Sequence, residues 1–102
     1  MVEFSQELFD SICERIAEGE SGRAIMRDEK TPSLSTFWKW LKQPELAKQY
    51  ARAKQEQADA IFEDCLDIAD SATLEETQLA RMRIDTRKWM AGKLRPKVYG
   101  DK

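Results

Sequence analysis

The sequence predicts an all-α protein: an N-terminal helix-turn-helix domain of three helices, followed by a long antiparallel helical hairpin. Three observations carry this reading. Apolar residues recur at helical spacing, and no strand-like alternation runs beyond a few residues. Pro32 and Pro44 stand where proline opens a helix, and Ser5, Ser21 and Thr73 stand where a hydroxyl caps one. From Pro44 to about Ala72 nothing breaks the helical pattern, and a T-x-x-E capping box follows at once.

The first helix is expected over about Ser5 to Glu18. Leu8, Phe9, Ile12, Ile16 and Ala17 form one apolar stripe, Asp10, Glu14 and Glu18 line the opposite side, and Gly19 stops the helix. The second runs from the cap Ser21 to near Glu29, with Ala24 and Ile25 facing inward and Arg23 and Arg27 four apart on the outer face. Thr31-Pro32 forces a turn, because proline disfavours helix at the residue before it. A third helix follows from about Pro32 to Lys42. Its anchors are Phe37, Trp40 and Leu41, and Ser35, Trp38, Lys39 and Lys42 share its other side.

The fourth helix, from Pro44 to about Ala72, would be roughly 44 Å long at 1.5 Å per residue. Two apolar lines run along it. One passes through Leu46, Tyr50, Ala53, Ile61, Cys65 and Ile68, the other through Ala58, Phe62, Leu66 and Ala69. An apolar arc that wide implies more than one partner. The fifth helix then runs from the capping box to about Leu94, with Leu79, Met82, Trp89 and Met90 as its apolar contacts. So short a connection makes an antiparallel hairpin, and its register, to within about one turn, would put Arg83 near Glu63 and Arg87 near Asp59. Pro96 ends the helix. The expected domains are 1–43 (helix-turn-helix), 44–95 (hairpin and oligomerisation) and 96–102 (a C-terminal tail).

The net charge of −2 conceals segregation: −5 over residues 1–20, +3 over 21–42, −4 over 43–72 and +4 over 73–102. This pattern argues against a generic polyanion binder. It favours local recognition together with acid-to-base contacts within or between subunits. The chain has no histidine and two cysteines, Cys13 and Cys65, so a four-ligand structural zinc site is excluded. No apolar run approaches the roughly 20 residues of a membrane span, and nothing resembles a signal peptide. The expectation is an intracellular protein with free, packed thiols. No phosphate-cradling glycine loop and no nucleophile–base pair is present, so no catalytic, metal or cofactor residues are assigned. The acids Glu63, Asp64, Asp67 and Asp70 fit a solvated or paired face better than a metal cluster.

The stretch Ser21–Lys42 has the form of a DNA-reading element. Arg23, Arg27, Lys39 and Lys42 are expected to meet phosphates. The hydroxyls of Ser33, Ser35 and Thr36, at the third helix's N-terminus, and the ring of Trp38 would approach phosphates, sugars or bases. Plain capping for the hydroxyls and a core contact for Trp38 are the competing roles. Tyr50, Ile61, Phe62, Leu66, Met82, Arg83, Arg87 and Trp89 are expected to join subunits.

Four stretches carry a resemblance: Ile12–Gly19 (ICERIAEG); Pro32–Leu41 (PSLSTFWKWL); Tyr50–Lys54 with Ala58–Ala60 and Ile68–Asp70; and Arg81–Trp89 (RMRIDTRKW) with Lys93–Asp101 (KLRPKVYGD). Together they span nearly the whole chain, and the last is the most specific. The chain resembles the small terminase subunit of tailed bacteriophages. The resemblance implies a non-enzymatic subunit that recognises viral double-stranded DNA and presents it to the large packaging ATPase/nuclease in the host cytoplasm. It further implies a homo-oligomeric ring, with a C-terminal part that contacts the large subunit or the portal, and no membrane partner. One departure is the join from Ser71 to Gln78, which is shorter than is usual in such relatives. Two other classes remain: a small transcriptional regulator or transposase-like module that dimerises through the hairpin, and an interaction scaffold whose helix-turn-helix does not bind DNA.

Overall fold

The computed structural model describes residues 2–100. Among them it contains α1 (Gln6–Ala17), α2 (Gly22–Ile25), α3 (Leu34–Trp40), α4 (Pro44–Ser71), a 3-10 turn (Leu74–Glu76), α5 (Thr77–Leu94) and α6 (Pro96–Tyr99), and no strand. The all-α expectation holds. Asp101 and Lys102, the end of the expected 96–102 tail, lie outside the described residues.

The helix starts follow from local chemistry. Ser5, Ser21 and Ser33 each accept a hydrogen bond from a backbone N–H three residues on, at 3.1, 3.1 and 3.3 Å. At the end of α1, Gly19 takes a φ of 112°, open to glycine at little steric cost. Its N–H donates to Ile16 O and that of Glu20 to Arg15 O, the double bond of a Schellman motif. The Thr73 N–H and hydroxyl both donate to Glu76 Oε1, at 3.1 and 3.0 Å, so the capping box forms.

Two boundaries in the first unit differ from expectation. Helix α2 ends at Ile25 rather than near Glu29, because the Thr31 hydroxyl donates to the carbonyls of Ile25 (3.0 Å) and Asp28 (2.6 Å) and closes the turn early. Helix α3 begins after Ser33, and Pro32 stands buried just ahead of the cap instead of inside the helix.

The chain forms two compact units, the first ending at Gln57 and the second beginning at Ala58. In the first, Phe9, Ile12, Cys13, Ile16, Ile25, Phe37, Leu46 and Ala53 make a buried core, with Leu8, Met26, Trp40, Leu41 and Tyr50 packed against it. Phe9 and Phe37 stack at 5.6 Å, and Phe37 meets Tyr50 at 5.5 Å. Each large side chain so buried contributes on the order of 1.5–3 kcal/mol. The first turns of α4 therefore complete this core, and the unit runs past residue 43. Asp10, on the expected solvent face of α1, accepts from Gln49 Nε2 at 2.7 Å and so ties α1 to α4.

In the second unit the end of α4 and α5 run antiparallel. Asp64 pairs with Arg87 at 2.8 Å and Asp59 with Arg95 at 2.9 Å. This corrects the expected register, which paired Arg87 with Asp59 and Arg83 with Glu63. The 3-10 turn belongs to the connection, so α5 starts later, and Asp59 meets Arg95, just past the end of α5, in place of Arg87. The buried apolar positions are small, Ala58, Ala80 and Ala91, whereas Leu79, Met82 and Trp89, expected as hairpin contacts, are exposed. The segment after Pro96 docks on α4: Tyr99 stacks on Phe62 at 4.5 Å, and its hydroxyl donates to Asp59 at 2.6 Å.

Candidate nucleic-acid interface

The turn between α2 and α3 is held from both ends. Asp28 accepts the Lys30 N–H at 3.0 Å, Thr31 closes α2, and Ser33 caps α3. The Ser33 hydroxyl donates to Thr36 Oγ1 at 3.0 Å and lies 3.2 Å from the Ser35 hydroxyl. The three hydroxyls thus sit together at the start of α3, and that of Ser33 is already engaged in capping. Phe37 is buried and anchors the helix, so Ser35, Trp38, Lys39 and Lys42 face outward, as do Arg23 and Arg27 on the preceding segment.

Ion pairing separates these cations from their neighbours. Arg15 is bound to Glu20 at 2.8 Å and lies 3.6 Å from Asp28, and the Glu20 hydrogen bond holds its guanidinium even more firmly charged. The same bond lowers the Glu20 carboxyl below its ordinary value. Arg23, Arg27, Lys39 and Lys42 form no ion pair among the described residues. Their charge is free to act on an outside anion.

Not all the expected residues come together. Arg23 and Trp38 line one cleft of about 360 Å³, whereas Arg27, Ser33, Ser35, Thr36, Lys39 and Lys42 lie outside it. Trp38 is 50% exposed and meets Phe37 and Tyr50 edge-on, at 6.1 and 6.3 Å, so neither competing role describes it fully. The cleft also contains Lys54, which the sequence reading missed. Its ammonium lies 5.9 Å from the Tyr50 ring centroid, and burial lowers its pKa. The Tyr-x-x-x-Lys spacing on α4 was the available signal, since residues four apart share a helix face.

The residues expected to join subunits also divide. Tyr50 is half-buried and packs against the core of the first unit. Ile61 is half-buried. Arg87 is half-buried and pairs with Asp64 of its own chain. Phe62, Leu66, Met82, Arg83 and Trp89 are exposed, with Leu66 at 67%, Met82 at 60% and Trp89 at 63%. Phe62, Leu66 and Ala69 line a groove of about 920 Å³ edged by Glu63, Asp64 and Asp67. Helix α5 carries the opposite charge in Arg81, Arg83 and Lys88. No group of metal-ligating side chains is found among the described residues, and no helix is long and apolar enough to cross a membrane.

Residues 4–102 match the family model described as bacteriophage Sf6, terminase small subunit-like. Among solved structures, the chain is similar to three single-substitution variants of the terminase small subunit gp1 of the bacterial virus Sf6. Each is 36% identical, with TM-scores of 0.88, 0.87 and 0.88, and the match covers 100% of this chain and 81% of theirs. No curated protein matches the chain.

Proposed function

The chain belongs to the bacteriophage Sf6 terminase small subunit-like family, and from that premise we propose that its first unit binds viral double-stranded DNA and presents it to the large packaging ATPase/nuclease. In this reading the protein is a non-enzymatic packaging subunit acting in the host cytoplasm. The supporting observation is the set of outward-facing cations, Arg23, Arg27, Lys39 and Lys42, that stand unpaired around the capped start of α3. They would hold phosphates, while Ser35, Thr36 and Trp38 approach sugars or bases. Four such contacts in one copy bind weakly and lose affinity steeply with salt. Repetition in a homo-oligomer offsets this by multivalency.

The second unit supports the oligomer reading. Large apolar side chains stand exposed on α4 and α5, while the apolar groups buried in that unit, among the described residues, are alanines. An acid-edged apolar groove on α4 and a basic α5 are complementary surfaces for successive copies. We therefore propose residues 1–43 as the DNA-contacting part and 44–95 as the oligomerising part. The 96–102 segment is proposed to face the large subunit.

Changing Lys39 and Lys42 together to Glu should abolish retention of DNA in a gel shift without changing the oligomer's mass by light scattering. Unaltered retention would remove α3 from the interface. A wild-type mass of two subunits with palindromic half-site binding would favour a regulator, and roughly eight or more the packaging ring.

A further inference from the structure

Duplex recognition as proposed draws on Arg23 and Trp38 but leaves Lys54, beside them in the first unit, unused. The cleft that contains Arg23 and Trp38 is also lined by Tyr50, Lys54, Met26 and Leu34. Among the described residues no carboxylate lines it. Lys54 is half-buried and forms no ion pair among the described residues. A cation withdrawn from water without a partner is unfavourable, and the Tyr50 ring returns only part of the lost solvation. An anion entering the cleft would supply the missing partner. Beside it stands a tryptophan that is half exposed and meets its protein neighbours only in T-shaped contacts, never in a parallel stack.

Duplex DNA does not use this combination well. Its bases are paired and stacked, and it offers phosphates and groove edges rather than base faces. Aromatic rings interleaved with cations are instead the pattern of single-strand sites. A volume of about 360 Å³ is in the range of pockets for small molecules, suited to one nucleotide rather than a paired stack.

We infer that this cleft binds an unpaired nucleotide of single-stranded DNA, its base on Trp38 and its phosphate between Lys54 and Arg23. The inference extends the DNA-binding reading above to a second form of DNA, and it rests on that reading for the polymer's identity. Lys54 acts here as a phosphate ligand, and Trp38 as a stacking platform that accepts any base.

The test is fluorescence anisotropy with the full chain, using a labelled thymidine strand of about ten nucleotides and a labelled duplex of about twenty base pairs. Lys54→Gln should weaken strand binding about tenfold and leave duplex binding within about twofold. Trp38→Ala should weaken strand binding by a similar factor, and Trp38→Phe should restore most of it. Lys48→Gln, an exposed charge change elsewhere on α4, should do neither. Circular dichroism melts identify any variant that fails to fold, and Lys54→Met, which keeps the stem without the charge, then replaces Lys54→Gln.

Strand binding unaffected by Lys54→Gln, or weakened equally by Lys48→Gln, would overturn the inference. So would displacement of the strand by a hexaglutamate peptide at equal concentration, which would make the cleft an acidic-peptide site. Duplex binding without strand binding sinks this inference alone. Strand binding without duplex binding leaves it standing and removes the proposed role of α3.

Discussion

Replacing Ser33 separates the structural and recognition roles of α3. Its hydroxyl accepts the Thr36 N–H at 3.3 Å, longer than the 3.1 Å bonds at Ser5 and Ser21, and donates to Thr36 Oγ1. Loss of such a cap costs about 0.5–2 kcal/mol, and the long, exposed geometry here argues for about 1 kcal/mol. In a unit this small that lowers the melting temperature by about 4–8 °C. Ser33→Ala should therefore melt earlier, followed by near-ultraviolet circular dichroism, in which Trp38 and Trp40 report on the first unit. Ser33→Asp retains a good cap and places a favourable charge at the helix start, so it should melt at or above the wild-type temperature. If that end of α3 faces phosphates, the same carboxylate repels them, and duplex affinity at low salt should fall about tenfold. Ser33→Ala with an unchanged melt would refute the capping assignment. Ser33→Asp binding duplex as tightly as wild type would refute the placement of DNA at the start of α3.

Other outcomes follow from the ionisable groups. The Tyr99 hydroxyl, then Arg95, holds the Asp59 carboxyl below its ordinary value, and the Asp59 hydrogen bond raises Tyr99 above its own. The lowered Asp59 stabilises the docked segment above the unfolded carboxyl's range and loses that effect as pH falls through its folded value. The raised Tyr99 stabilises it below the unfolded phenol's pKa and loses that effect as pH rises through its folded value. Trypsin cleavage at Lys97, taken relative to an unstructured peptide carrying the same site at each pH, should thus be slowest between about pH 5 and 9 and accelerate in Asp59→Asn; equal relative rates in the two proteins would count against this contact. For the thiols, burial first and Asp10 second push Cys13 up to about 11. Cys65 is also raised by burial, which Arg87 opposes, and is only half-buried. Near pH 8, a chromogenic disulfide reagent should label Cys65 within minutes and Cys13 only after denaturation. Two equally fast thiols would contradict this packing.

Much of the helix pattern was legible because its signals are local. The Ser5 and Ser21 caps, the Gly19 stop and the Thr73–Glu76 box each act over a few residues, and the structure contains all of them. Phe37 as the anchor of α3 followed from helical spacing, and it is buried. The outward direction of Arg23, Arg27, Lys39 and Lys42 followed by elimination. Lys54 did not, because it lies on another helix, and only folding brings it to the cleft with Arg23 and Trp38.

By itself, then, the sequence determined the helices, their order and the segregation of charge, since propensity, capping and spacing act within a turn or two. Tertiary structure alone decided the hairpin register, the docking of Tyr99 and the membership of the cleft. Charge attraction has little directionality, and several acids on α4 could have met Arg87 or Arg95. Ala58, Ala80 and Ala91 are the buried apolar side chains of this unit among the described residues, and the 3-10 turn sets where α5 begins. Only then do Asp59 and Asp64 acquire their partners, because the choice depends on how two helices pack rather than on any residue's neighbours in the chain.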